Sequence, residues 1–219
     1  MIDKTWASAA EAVADIPEGA SLAVGGFGLS GNPMVLIEAL HRQGTGGLRV
    51  VSNNCGVDDW GLGILLADGR ISKMTSSYVG ENKEFERQFL SGELELELTP
   101  QGTLAEKLRA GGSGIAAFYT QTGVGTQVAD GGLPRRYDGS GGISVASPRK
   151  DVRIFDYAGE QREFVLEEAI VTDFALVHAA VGDTHGNLVF TKAARNFNPL
   201  AAMAGRICIA QVEKLVPAG

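Results

Sequence analysis

Apolar positions recur along this chain in two rhythms, one of helical spacing and one of alternation. Trp6, Ala9, Ala10 and Val13 follow helical spacing and predict a first helix over Thr5 to Ala14. Ser21-Leu22-Ala23-Val24 then reads as a strand, followed by a glycine-rich loop and a helix from Pro33 to about His41. A strand (Leu48–Ser52), a helix (Asp58–Ala67) and a strand (Ile71–Ser76) come next. A charged helix from about Asn82 to Leu90 is closed by Gly92. Leu94, Leu96 and Leu98 alternate with Glu93, Glu95 and Glu97, the mark of a strand with one wet face. Thr103-Leu104-Ala105-Glu106 has the form of a capping box, so a helix is expected from Thr103 to just before Gly111-Gly112. A buried strand over Ile115–Tyr119 follows. Repeated β–α alternation predicts a mainly parallel sheet with helices on both faces.

The pattern changes after Thr120. Residues 121–142 are rich in glycine, contain Pro134 and Arg135-Arg136, and read as a long loop or excursion. Short strands are expected at Ile143–Ala146, Val152–Tyr157 and Arg162–Val165, forming a small strand-rich excursion. Further strands are expected at Phe174–Val181, Leu188–Phe190 and Ile207–Val216, with a turn at 183–187 and a helix beginning at Asn198-Pro199. No linker divides the chain, so residues 1–219 read as a single domain.

Composition adds little to this picture except by exclusion. The chain has 219 residues, 44% hydrophobic and 21% charged, which is ordinary for a soluble globular protein. Its net charge of −7 argues against non-specific nucleic-acid binding. The N-terminus lacks a basic stretch leading into an apolar run, and no run approaches the ~18 residues of a membrane span. Two cysteines without a pairing motif suit a reducing compartment, so a cytoplasmic location away from membranes is expected.

Candidate chemistry lies where strands end. Gly25-Gly26-Phe27-Gly28-Leu29-Ser30-Gly31 joins a strand to a helix, with Asn32 placed as N-cap and Pro33 as first helical residue. Such a helix start favours anions. Gly26-x-Gly28-x-x-Gly31 matches the dinucleotide fingerprint, but that site needs an acid at the end of the second strand. No Asp or Glu lies between Glu38 and Asp58, which disfavours a dinucleotide and leaves another anionic or acyl ligand, or simple helix packing.

Asn53 and Asn54 end the second strand and either donate to a developing oxyanion or make a turn. Gln101 has a similar strand-end position. Glu81 is either a nucleophile or base, or a first-turn acid favoured by the helix dipole. Cys55 has no adjacent histidine and reads as a small buried residue, and Cys208 as core. The three histidines lack metal-ligand spacing, so no metal is expected.

These residues resemble the family I coenzyme A transferases. Val24 to Pro33 is similar to the family's first signature, although Glu18-Gly19 stands where the pattern usually opens with Asp or Asn then Gly. Val51-Ser52-Asn53-Asn54, Ser77-Tyr78-Val79-Gly80-Glu81-Asn82, Leu90 to Leu104, Ala117 to Thr120 and Ala194-Arg195-Asn196-Phe197-Asn198 agree in order. The similarity covers nearly the whole chain and is nearest to the alpha chains that act on succinyl-CoA and 3-oxoacids such as acetoacetate.

The resemblance implies a Rossmann-like α/β fold and a ping-pong reaction through a glutamyl-CoA thioester. It places the glutamate nucleophile in a Ser-Glu-Asn-Gly type motif of a B subunit, which this chain lacks, so the chain alone is expected to be inactive. Asn53 and Gln101 would line the acyl and oxyanion site, with Gly25, Gly26, Phe27, Gly28 and Asn54 as substrate-binding candidates. Coenzyme A would come as a thioester substrate, with no permanently bound cofactor. A heterotetramer with the B subunit is expected. Family alpha chains continue beyond the last strand, so a short C-terminus is also expected. Rival readings are one chain of an acetate or 3-oxoadipate transferase, a sugar-phosphate isomerase on a related fold, and a non-catalytic acyl-CoA-binding protein.

Overall fold

The computed structural model describes residues 3–218. The first half runs α1 (Ala9–Val13), β1 (Ser21–Val24), α2 (Met34–Gln43), β2 (Leu48–Val51), α3 (Gly63–Ala67), β3 (Ile71–Ser76), α4 (Lys83–Ser91), β4 (Glu95–Leu98) and α5 (Gln101–Gly112). The second half adds β5 (Ala117–Thr120), α6 (Gln127–Asp130), β6 (Pro134–Tyr137), β7 (Ile143–Ala146), β8 (Val152–Tyr157) and β9 (Glu160–Glu168). It closes with β10 (Thr172–Asp183), β11 (Leu188–Val189), α7 (Asn198–Ala204) and β12 (Gly205–Val216).

A seven-stranded sheet has the order β11-β10-β1-β2-β3-β4, with β12 also paired to β10. All its pairings are parallel except that of β11. Alternation along the strands divides the core in two. Leu22, Val24, Leu48 and Val50 pack with Val13, Leu36, Ile37, Leu65, Leu66 and Phe85, which puts α1 to α4 on one face. Ala23, Val51, Ala175 and Val177 pack with Leu104, Leu108, Phe197, Ala201 and Ala204, which puts α5 and α7 on the other. Each fully buried Leu or Phe contributes about 1.5–3 kcal/mol by leaving water. The expected parallel sheet with helices on both faces is therefore present. Its parallel strands bring the loops after β1, β2, β3 and β4 to one edge.

Several local expectations change. Ser8 caps α1, its Oγ accepting from Glu11 N at 3.2 Å, so Trp6 lies outside the helix and is exposed. Val57 and Trp60 exchange backbone hydrogen bonds in a tight turn, so α3 starts at Gly63 rather than Asp58. The apolar run near Ile115 forms β5, which is half-buried and pairs antiparallel with β9 in a separate β5-β9-β8 sheet. A short apolar run cannot by itself choose between a parallel and an antiparallel partner. Residues 121–142 are not a bare loop: they carry α6 and β6, and β6 pairs with β7. Arg135 Nη2 reaches Glu97 at 3.0 Å and Arg136 Nε donates to Gly92 O at 2.8 Å, which docks this excursion on β4 and α4. Cys208 is exposed rather than core, because β12 is an edge strand in which Ile209 alone is buried.

No helix among the described residues is long and apolar enough to cross a membrane.

Candidate active site

The glycine loop after β1 is shaped by two asparagines. Asn32 does not cap α2: its Nδ2 donates back to Gly28 O at 3.0 Å, and Pro33 occupies the N-cap position without a side-chain bond. Asn198 is fully buried beneath the loop. Its Nδ2 donates to Gly31 O and Ala194 O, each at 2.9 Å, while its Oδ1 accepts from His178 N at 2.9 Å. It occupies the first position of α7 rather than the N-cap, which is Phe197.

Gly25 and Gly28 are glycine for different reasons. A Cβ on Gly25 would lie 1.9 Å from Asn198 Oδ1. Gly28 has open space around it but a φ of +55°, in the left-handed region. Gly26 lies against Asn32 in the same loop. Phe27 N and O pair with Ser30 O and N, so the tip projects Phe27 and Leu29 outward, both exposed.

Asn53 follows β2 and is only 3% exposed. Its Oδ1 accepts from Ser77 Oγ at 2.8 Å and from Gln101 Nε2 at 2.9 Å. Its backbone oxygen accepts from Ser76 Oγ at 2.9 Å and from Ser77 N at 3.1 Å. Among the described residues nothing accepts from its Nδ2, yet that nitrogen is not a buried unpaired atom. In a residue so deeply buried, its N–H groups have no protein acceptor among the described residues and only slight contact with solvent.

Gln101 reaches Asn53 because α5 begins earlier than the sequence suggests. Pro100 stands at the N-cap and Gln101 opens the first turn. Thr103 is no capping residue: its Oγ1 is buried without a partner, and Glu106 binds Arg109 instead. The helix dipole and free N–H groups of this first turn favour a carboxylate nearby.

The other candidates are less engaged. Asn54 is half-buried, and no side-chain bond holds it among the described residues. Glu81 is exposed, with a φ of 65°. The real cap of α4 is Asn82, whose Oδ1 accepts from Phe85 N at 2.8 Å and whose Nδ2 donates to Cys55 O at 3.0 Å. Cys55 is buried, and that burial pushes its thiol up to about 12, which leaves it unreactive at neutral pH. Among the described residues no cluster of three or more His, Cys, Asp or Glu side chains could hold a metal.

The structure thus brings Asn53 and Gln101 together, and sets Asn54, Glu81 and the glycine loop along the same sheet edge. Sequence reasoning misses Ser76, Ser77 and the buried role of Asn198. Paired serines ending β3, the neighbour of β2 in a parallel sheet, are the available signal.

This edge is an open shelf. None of its residues lines a groove of 670 Å³ that lies between the N-terminal segment and β12 and is bordered by Trp6, Val35, Ile207 and Leu215. Exposed apolar side chains stand at this edge: Phe27 and Leu29 after β1, Tyr78 after β3, and Leu98 at the end of β4, which also lines a cleft against β6.

Residues 6–219 match the family model described as coenzyme A transferase. The chain belongs to the coenzyme A transferase family. It is 66% identical over 218 residues to a protein of Mycobacterium tuberculosis named as the probable A chain of a succinyl-CoA:3-ketoacid coenzyme A transferase. That match covers 100% of this chain and 86% of the relative. A Bacillus subtilis protein of the same name is 54% identical over 216 residues, covering 99% of this chain and 82% of the relative. Among solved structures, an acyl-CoA transferase (YdiF) from Escherichia coli O157:H7 is similar at a TM-score of 0.75 and 25% identity. That match covers 97% of this chain and only 42% of the other chain. The glutaconate coenzyme A-transferase of Acidaminococcus fermentans shares the fold at a TM-score of 0.73 and 19% identity, covering 96% of this chain and 67% of that one.

Proposed function

We propose that this chain is the alpha (A) chain of a cytoplasmic succinyl-CoA:3-ketoacid coenzyme A transferase. It would work in a heterotetramer with a B subunit that carries the nucleophilic glutamate. The observation that carries this reading is the Asn53 amide, with its oxygen held by two donors and its N–H groups free at the C-terminal edge of the sheet. The names of the highly identical relatives support the substrate class.

The partner's carboxylate would attack the carbonyl carbon of succinyl-CoA. Negative charge then develops on the carbonyl oxygen, and the free Asn53 N–H is suited to meet it. The second N–H of Gln101 is a further donor. Such a donor is worth about 3–4 kcal/mol in the transition state. Collapse expels CoA thiolate and leaves an acyl–glutamyl anhydride. The thiolate adds to the glutamyl carbonyl, succinate leaves, and the glutamyl-CoA thioester remains. The 3-oxoacid carboxylate then takes the CoA by the reverse sequence, so no resident cofactor is needed. Gly25, Gly26, Phe27, Gly28 and Asn54 would border the acyl-CoA on the same edge.

The open shelf and its apolar rim suit a site that a second chain completes. The test is to co-express the chain with a candidate B chain and assay CoA transfer from succinyl-CoA to acetoacetate. The mixture should be active and each chain alone inactive. Turnover by this chain alone would overturn the reading.

A further inference from the structure

We infer that Ser77 is a positioning residue that holds the Asn53 amide in place. The inference rests on the proposed function for its kinetic readout, while its geometry stands independently. Ser77 makes three contacts with Asn53: its Oγ lies 2.8 Å from the side-chain oxygen and 3.2 Å from the main-chain oxygen, and its backbone N donates to the main-chain oxygen at 3.1 Å. Ser76 Oγ adds a bond to the same main-chain oxygen at 2.9 Å. The end of β2 is thereby tied to the end of β3 just where the amide leaves the backbone.

Ser77 and Gln101 both hold the Asn53 side chain at its Oδ1. Gln101 Nε2 can only donate and so favours the amide oxygen on its side, whereas the Ser77 hydroxyl can donate or accept and fixes where the amide sits. The Nδ2 hydrogens are left without a protein acceptor among the described residues. The two side chains are unequal anchors. Gln101 is exposed and hangs on three rotatable bonds, whereas Ser77 is half-buried, has one, and is fixed by its own backbone bond. Ser77 should hold the amide in place even when Gln101 turns toward a substrate. It needs no contact with the reacting atoms to do so.

The experiment uses the enzyme assembled with its B chain, and compares Ser77→Ala, Ser77→Thr, Asn53→Ala and the double variant. Ser77→Ala should lower kcat about tenfold, the scale of one lost hydrogen bond acting in the transition state. KM for succinyl-CoA should stay within about twofold, because uniform binding is untouched. Ser77→Thr keeps the hydroxyl and should restore most of kcat. The double variant should be no slower than Asn53→Ala, since Ser77 acts through Asn53.

Wild-type kcat in Ser77→Ala with a strong loss in Asn53→Ala would overturn the inference and leave the proposed function standing. So would losses that multiply in the double variant, or a drop in melting temperature that Ser77→Thr fails to restore. Wild-type kcat in Asn53→Ala would overturn the proposed function, and the inference with it.

Discussion

Asn198 shows how much one buried amide can organise. It bonds to the glycine loop, to the 3₁₀ turn at Lys192–Arg195 and to β10, and no part of it reaches solvent. Asn198→Ala would strand the His178 N–H and the Gly31 and Ala194 carbonyls away from their partner. Leaving buried polar groups unpaired costs roughly 1–3 kcal/mol each, and some of these would find water, so a total loss of about 2–3 kcal/mol is expected. For a chain of this size that lowers the melting temperature by about 4–12 °C. Gly25→Ala should act through the same contact, because its Cβ would overlap Asn198 Oδ1. The two losses should therefore not add in the double variant, a result thermal melts would show directly. At Asn53 the cost of mutation falls elsewhere. Its amide spends its oxygen on structure and keeps its nitrogen free. Asn53→Ala is therefore expected to lower kcat of the assembled enzyme by about a hundredfold or more.

The strand-rich excursion is attached to the sheet by charge. Glu167 on β9 is buried and pairs with Lys107 of α5 at 3.1 Å and with Lys150. Lys107→Met removes one cation from a buried carboxylate, and breaking such pairs costs about 3–5 kcal/mol. Lys150 still faces Glu167, so a loss of roughly 3 kcal/mol is the expected outcome in urea titration. Adding Glu167→Gln to that background should recover part of it. Hydrogen exchange in β8 and β9 should rise before exchange in β1 to β4.

A second attachment is sensitive to acid. Burial raises the pKa of Glu97, but the charges of Arg135, Lys107 and Lys73 outweigh it and the net shift is downward. A carboxylate depressed on folding stabilises the native state above its unfolded pKa and loses that effect as pH falls through the folded value. Melting temperature should thus hold from neutrality to about pH 5 and fall below about pH 4.3. Glu97→Gln should lower it at pH 7 and flatten the acid fall.

Little of this attachment is legible in the sequence. Helical and alternating periods reveal local elements, so β1 to β4 and α4 stand out, with Asn82 and Gly92 at the ends of α4. Pairing across a gap of 60 residues, as between Lys107 and Glu167, leaves no local trace. The start of α5 is easily misplaced because Thr103 and Glu106 have the letters of a capping box, while Pro100 sets the boundary. That shift hides the Gln101–Asn53 bond, although both residues stand out as strand-end amides.

At the scale of the whole molecule, the C-terminal edge combines two features that seldom coexist on a finished surface. Its centre is polar and ordered, and its rim is apolar and exposed. Leu29 is 56% exposed at the tip of the glycine loop, and Phe27 stands beside it. Scattered apolar residues on a surface need no explanation, but Phe27, Leu29, Tyr78 and Leu98 all lie at one end of one sheet. A partner that contributes the nucleophile would have to approach from that end, because Asn53 and Gln101 meet there. The same side chains that suit an interface would exclude water from the thioester once covered. Leu29→Glu separates this role from folding. An exposed tip residue contributes little to the core, so the melting temperature of the isolated chain should change by no more than about 2 °C. In complex, the new carboxylate would be desolvated without a partner. Affinity for the B chain should then fall by about tenfold or more, as at other central interface positions. Sedimentation of the mixed chains across a range of concentrations would measure this. Unchanged affinity would mean that the rim does not meet the partner. Weakened assembly with normal kcat at saturating B chain would show that the rim builds the enzyme while Asn53 and Gln101 serve its chemistry.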